Sequence, residues 1–152
     1  MFEKSHDIRV LNGLIETTVD SIDGYRRAAE EATNSRFAAA FRGRVTEREQ
    51  IVGKLRDEVR RLGGDPQDDG SILAAAHRAF LTLRDKVTGS DDASVIAEVD
   101  HGETYLNEKW ETALRDDQLS PETRSVITQC YSSIRAGHDE WRAAHAGVTS
   151  AG

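Results

Sequence analysis

The chain has 152 residues, 38% hydrophobic and 31% charged, with a formal net charge of −7. That polar balance suits long helices with one wet face, packed as one domain. The acidic excess argues against nucleic acid, whose binders show a basic patch, and no apolar run reaches the roughly 20 residues that span a bilayer.

Breakpoints at "TNS" (33–35), "GGDPQDDGS" (63–71), "TGSDD" (88–92) and "DDQLSP" (116–121) cut the chain into helical segments, and no segment shows strand alternation. The N-terminus "MFEKSHDIRV" has no apolar signal-peptide core, so the expected location is the cytoplasm. The first predicted helix runs from about Asp7 to Ala32, with Ile8, Leu11, Ile15, Thr18, Ile22, Tyr25 and Ala29 on one stripe. The second runs from about Arg36 to Leu62, with Phe37, Phe41, Val45, Arg48, Val52, Leu55, Val59 and Leu62 inward, and ends at the C-cap signal Gly63-Gly64 before Pro66. A shorter helix is expected over Ser71–Val87, stopping at Gly89. The third long helix follows the caps Asp91 and Asp92 and carries Ile96, Val99, Glu103, Leu106, Trp110 and Ala113. The fourth is capped by Ser120, with Pro121 at its first position and Glu122 in its first turn. Its stripe is Thr123, Ile127, Cys130, Ile134, His138, Trp141 and His145.

Short links join helices one and two, and three and four, into two antiparallel hairpins. Between them the helix over 71–87, about 25 Å long, is the right size to return the chain to its starting end. The expected fold is all-α: a ferritin-like antiparallel four-helix bundle with an additional crossover helix between helices two and three. A five-helix up-down array is the alternative. The bundle should occupy residues 1–147, and the small polar residues 148–152 should form a disordered tail.

The stretches "LNGLIETTVDSIDGYRRAAEEA", "REQIVGKLRDEVRRLGGDP", "GSILAAAHRAFLTLRDKVTG", "EVDHGETYL" and "QCYSSIRAGHDEWR" resemble, in that order, an uncharacterised bacterial family of ferritin-like bundles known as a domain of unknown function. The resemblance spans about residues 5–145. It implies the bundle fold and no known reaction. The wider relatives, rubrerythrins and other carboxylate-bridged iron proteins, hold two metals.

Such a centre needs an inward Glu from each of two helices and a Glu-x-x-His from each of the other two, because positions three apart share a helix face. Neither helix two nor helix four contains Glu-x-x-His. Helix two offers Glu47-x-x-Gln50, and helix four offers His138. Helix one turns Glu16 and Asp20 away from its stripe, which leaves Thr18 as its most inward polar group. Arg48 lies on the stripe where a metal site wants an acid, and a cation beside a dication is unfavourable. Should iron or manganese bind, the candidate ligands are Glu47, Glu103 and His138; otherwise no cofactor is implied. Arg48 and Glu103 each lie about a dozen residues into parallel helices, at about the same level, so a buried ion pair between them is expected.

His138 reads either as a ligand or as a core histidine bonded to Glu98, Tyr25 or a backbone carbonyl. His77 should bond across the crossover, His101 should face water, and His145 should be partly exposed. Gly24, Gly102 and Gly137, inside helices, suggest close approach of bulky neighbours or a small cavity, with Phe80 a candidate neighbour for Gly24. Cys130, the one cysteine, excludes an internal disulfide and reads as a buried small hydrophobe. The pairs Asp68-Asp69, Asp91-Asp92 and Asp116-Asp117 read as caps and turns, since the calcium-loop spacing is absent. No Walker loop, nucleophile elbow or spaced triad points to an enzyme.

Three readings follow. One is a non-catalytic bundle with a structural or interaction role, to which the resemblance adds a stress-related context. The second is an iron-binding protein or oxidase with a non-standard site. The third is a bundle that binds a small molecule or lipid beside Gly24, Gly102 and Gly137. A homodimer is compatible with exchange of hairpins; Val10 and Leu14, off the main stripe, could pack on the crossover helix or on a second chain.

Overall fold

The computed structural model of the chain describes residues 4–67 and 92–151. Its elements are α1 (Lys4–Glu31), α2 (Ser35–Arg61), α3 (Asp92–Leu114) and α4 (Pro121–Ala151). The expected crossover helix over 71–87, with His77, Phe80 and the Asp68-Asp69 turn, lies outside the described residues. So do Asp91 and the side chains of Asp92, Trp141 and His145.

Local chemistry sets the helix ends. Asn34 caps α2: its side-chain oxygen accepts the Arg36 and Phe37 N–H groups at 2.9 and 3.3 Å. At the other end Gly63 takes φ +85°, which only glycine adopts cheaply. Gly63 N–H then donates to Arg60 O and Gly64 N–H to Val59 O, the two bonds of a Schellman cap. Gly64 is needed for a different reason. A Cβ there would lie 2.8 Å from Ile8 Cδ1, so α1 crosses this turn at close range. Ser120 caps α4 by accepting the Thr123 N–H at 3.3 Å. The α4 backbone runs to Ala151. After Pro121 this helix contains no proline, so nothing there forces a stop.

Side-chain contacts give the topology. Tyr25 packs on Phe41 and Asn12 reaches Asp65, so α1 and α2 are antiparallel. His6 meets Asp116 and Trp110 meets Thr18, so α3 also runs against α1. Glu58 meets Thr123, and Trp110 stacks on Tyr131, so α4 runs against both α2 and α3. Hence α2 and α3 are parallel and diagonal, and the connection between them joins opposite ends of the bundle. This up-down-down-up order is the ferritin-like arrangement.

Among the described residues the core has two apolar parts. One holds Leu11, Ile15, Leu55, Leu106, Trp110, Ile127 and Ile134. The other holds Tyr25, Phe37, Phe41, Val95, Ile96 and Val99 at the opposite end. Leu14 is buried in the first part, with Val10 partly buried against it. Between the two parts lies a layer of polar side chains.

Candidate polar centre

α2 carries Arg48 inward at the level where α3 carries Glu103. The Arg48 side chain is 0% exposed and that of Glu103 2%. Arg48 Nη1 donates to Glu103 Oε1 at 2.9 Å, and Arg48 Nη2 donates to Oε2 at 3.0 Å. This two-point contact matches the flat guanidinium to the flat carboxylate. Nη1 also donates to Ser21 Oγ of α1 at 3.3 Å, and the guanidinium lies 5.5 Å from the centroid of the Tyr25 ring. Burial works against the Arg48 charge, but Glu103 outweighs it, helped by Tyr25 and Glu47, and holds the guanidinium above its ordinary range. Burial, then the Glu103 charge, pushes the Tyr25 phenol well above its ordinary value, so it stays neutral.

The rest of the layer comes from α2 and α4. Glu47 Oε1 lies 3.7 Å from Arg48 Nε, and the other Glu47 oxygen accepts from Arg44 Nη1. His138 Nδ1 lies 3.4 Å from Glu103 Oε2, within ion-pair range but outside hydrogen-bond geometry. Its carboxylate neighbour is therefore Glu103, not Glu98, and it makes no bond to Tyr25. Gly137 makes room: a Cβ there would stand 2.7 Å from Arg44 Nη1 and 3.0 Å from Glu47 Oε1. At Gly24 and Gly102 a Cβ would meet nothing within 4 Å among the described residues, which do not include Phe80. Both face solvent, where the stripe's angular drift has carried them off the core side. His101 is exposed as well.

A carboxylate-bridged metal pair does not fit these groups. α1 supplies Ser21 and Tyr25 but no carboxylate at this level, and a permanent cation holds both oxygens of Glu103. Among the described residues no three His, Cys, Asp or Glu side chains converge as a ligand set.

Two buried carboxylates escape the periodicity reading. Asp7 Oδ2 accepts from Ser120 Oγ at 2.6 Å, and Oδ1 accepts the Ser120 N–H at 3.2 Å. Glu58 takes both Arg61 N–H donors, at 2.6 and 2.7 Å, and the Thr123 hydroxyl at 3.1 Å. The Arg61 hydrogen bonds outweigh burial and keep Glu58 below the usual carboxylate range. The available signal was phase: Asp7 is four residues before Leu11, and Glu58 three after Leu55. Cys130 is 2% exposed, and burial raises its thiol, which leaves it a poor nucleophile. No described helix is long and apolar enough to cross a membrane.

Among solved structures, the fold is similar to a two-domain protein from Anabaena variabilis that contains DJ-1/ThiJ/PfpI-like and ferritin-like domains. The TM-score is 0.77 at 14% identity, and the match covers 99% of this chain and 39% of that one. The chain thus spans well under half of that protein, and the likeness speaks to fold alone. No curated protein matches. A family model does match, over residues 6–116, and by it the chain belongs to DUF2383, a domain of unknown function.

Proposed function

We propose that this chain is a ferritin-like bundle, one unit over 1–147, with a non-catalytic structural or interaction role. The observation that carries the reading is the bidentate Arg48–Glu103 pair at 2.9 and 3.0 Å. In a carboxylate-bridged bundle the central charge is a pair of dications balanced by several inward acids. Here the inward carboxylate is already balanced by an arginine, which is always charged. Such a centre gives the bundle a fixed register and offers no open coordination position.

A second reading has specific support. Glu47 Oε1 and His138 Nδ1 are buried and lack protein hydrogen bonds; His138 Nδ1 lies 3.4 Å from Glu103 Oε2 and Glu47 Oε1 3.7 Å from Arg48 Nε. In this reading an iron or manganese ion would displace Arg48 from Glu103, and Glu47 and His138 would have to move in as further ligands, since the three do not converge as they stand. Elemental analysis of protein expressed in iron- or manganese-supplemented medium separates the readings. The first expects metal far below one atom per chain. Near-stoichiometric metal, lost on Glu103→Gln or His138→Ala, would overturn it.

A further inference from the structure

Four buried polar atoms in the central layer make no hydrogen bond to a protein group: Tyr25 Oη, Glu47 Oε1, Arg48 Nε and His138 Nδ1. Asn107 Oδ1, one turn after Glu103 on α3, is also buried without a partner, whereas other buried polar groups among the described residues are served. Thr18 donates to Leu14 O, and Asp7 and Glu58 accept from the α4 N-terminus and Arg61. Four of the five unpaired atoms thus belong to the layer around one ion pair. An unpaired buried polar atom loses its bonds to water and gains none, so four together are a heavy cost to a marginally stable domain.

The four atoms define what would satisfy them. Arg48 Nε–H only donates and Glu47 Oε1 only accepts, while the neutral Tyr25 hydroxyl can do either. His138 Nδ1 donates or accepts according to tautomer. The ligand must therefore both donate and accept. It must also be uncharged, because Arg48 is matched by Glu103 and Arg44 by Glu47. It must be small: Arg48 Nε and Glu47 Oε1 are 3.7 Å apart, too far for a direct bond, close enough to share one small molecule. Access comes from the α2–α4 side, where Glu47 and His138 are 27% and 15% exposed and Gly137 has no side chain.

We propose that this layer is a solvent-binding site: water is held at Glu47 and Arg48, with Tyr25 and His138 as further partners, as a fixed part of the core. A buried water typically makes about three hydrogen bonds to otherwise unsatisfied groups, and these groups can supply them. The site does not depend on whether the bundle associates.

A high-resolution crystal structure of the full chain tests this directly. Ordered density is expected within hydrogen-bond distance of both Arg48 Nε and Glu47 Oε1. In solution, Arg48 Hε should show an exchange cross-peak to a long-lived water, and Glu47→Leu should abolish that peak while Arg48 still contacts Glu103. The idea fails if the four atoms pair directly with protein groups and leave no density, or if the cross-peak is absent in the parent protein. It fails equally if the density is a metal with contacts near about 2.0–2.2 Å to Glu47, Glu103 or His138.

Discussion

Glu103→Gln removes one charge and keeps the shape of the side chain, so it isolates what the buried pair does. Arg48 is wholly buried and cannot give up its proton, so the variant would leave an uncompensated cation in the core. Breaking a buried pair from one side typically costs about 3–5 kcal/mol. Two features pull the figure toward the lower end. The glutamine oxygen still accepts one of the two Arg48 hydrogen bonds, and Glu47 Oε1 remains 3.7 Å from Nε as a second negative charge. The expected loss is therefore about 3 kcal/mol, or about 6–12 °C in Tm for a chain of this size. Urea unfolding followed by circular dichroism at neutral pH reads the loss as a shift in midpoint without a change of slope. The double variant Arg48→Met/Glu103→Leu removes both charges and should recover most of the stability. A single-variant loss below about 1 kcal/mol, or a double variant as weak as the sum of its parts, would refute the account.

Glu58 sits below its ordinary range, so its stabilisation is present above the unfolded pKa and fades as pH falls through the folded one. Glu58→Gln should cost about 1–2 kcal/mol at pH 7 and progressively less toward pH 3, measured as urea midpoints across that range; a pH-independent deficit would contradict this. Gly63→Ala forces a side chain into φ +85° and should lower stability by about 1 kcal/mol in thermal melts. Gly24→Ala and Gly102→Ala meet open space among the described residues and should each raise stability by up to about 1 kcal/mol in the same assay, so a loss at either would favour the close-packing view.

Helical phase was legible where one stripe faced the core. It put Thr18, Arg48, Glu103 and Trp110 inward because apolar neighbours three and four residues away fixed the register. It missed Leu14, Ile51 and Glu58, which lie on a second inward column beside the first, since a helix in a bundle touches two neighbours and buries a wider arc than one stripe. Asp7 was opaque for another reason. Its partner Ser120 is 113 positions away at another helix's first turn, and no local pattern encodes such a meeting. Leu119, 2% exposed, sits in a loop, where periodicity says nothing. At the centre, sequence supplied the residue types and their level; whether His138 turns to Glu103 or Glu98 depends on helix rotation, which phase alone leaves loose.

The Arg48–Glu103 contact crosses the diagonal of the bundle, and that placement bears on how the chain folds. The α1–α2 hairpin holds the arginine and the α3–α4 hairpin the carboxylate. Either hairpin folded alone would leave its half of the two-point contact unmade on the face it needs to bury. Neither half can mature without the other, and a hairpin docked a turn out of place would strand both charges at once. Half-formed and mis-registered bundles are thereby penalised together, which favours all-or-none assembly of the two halves.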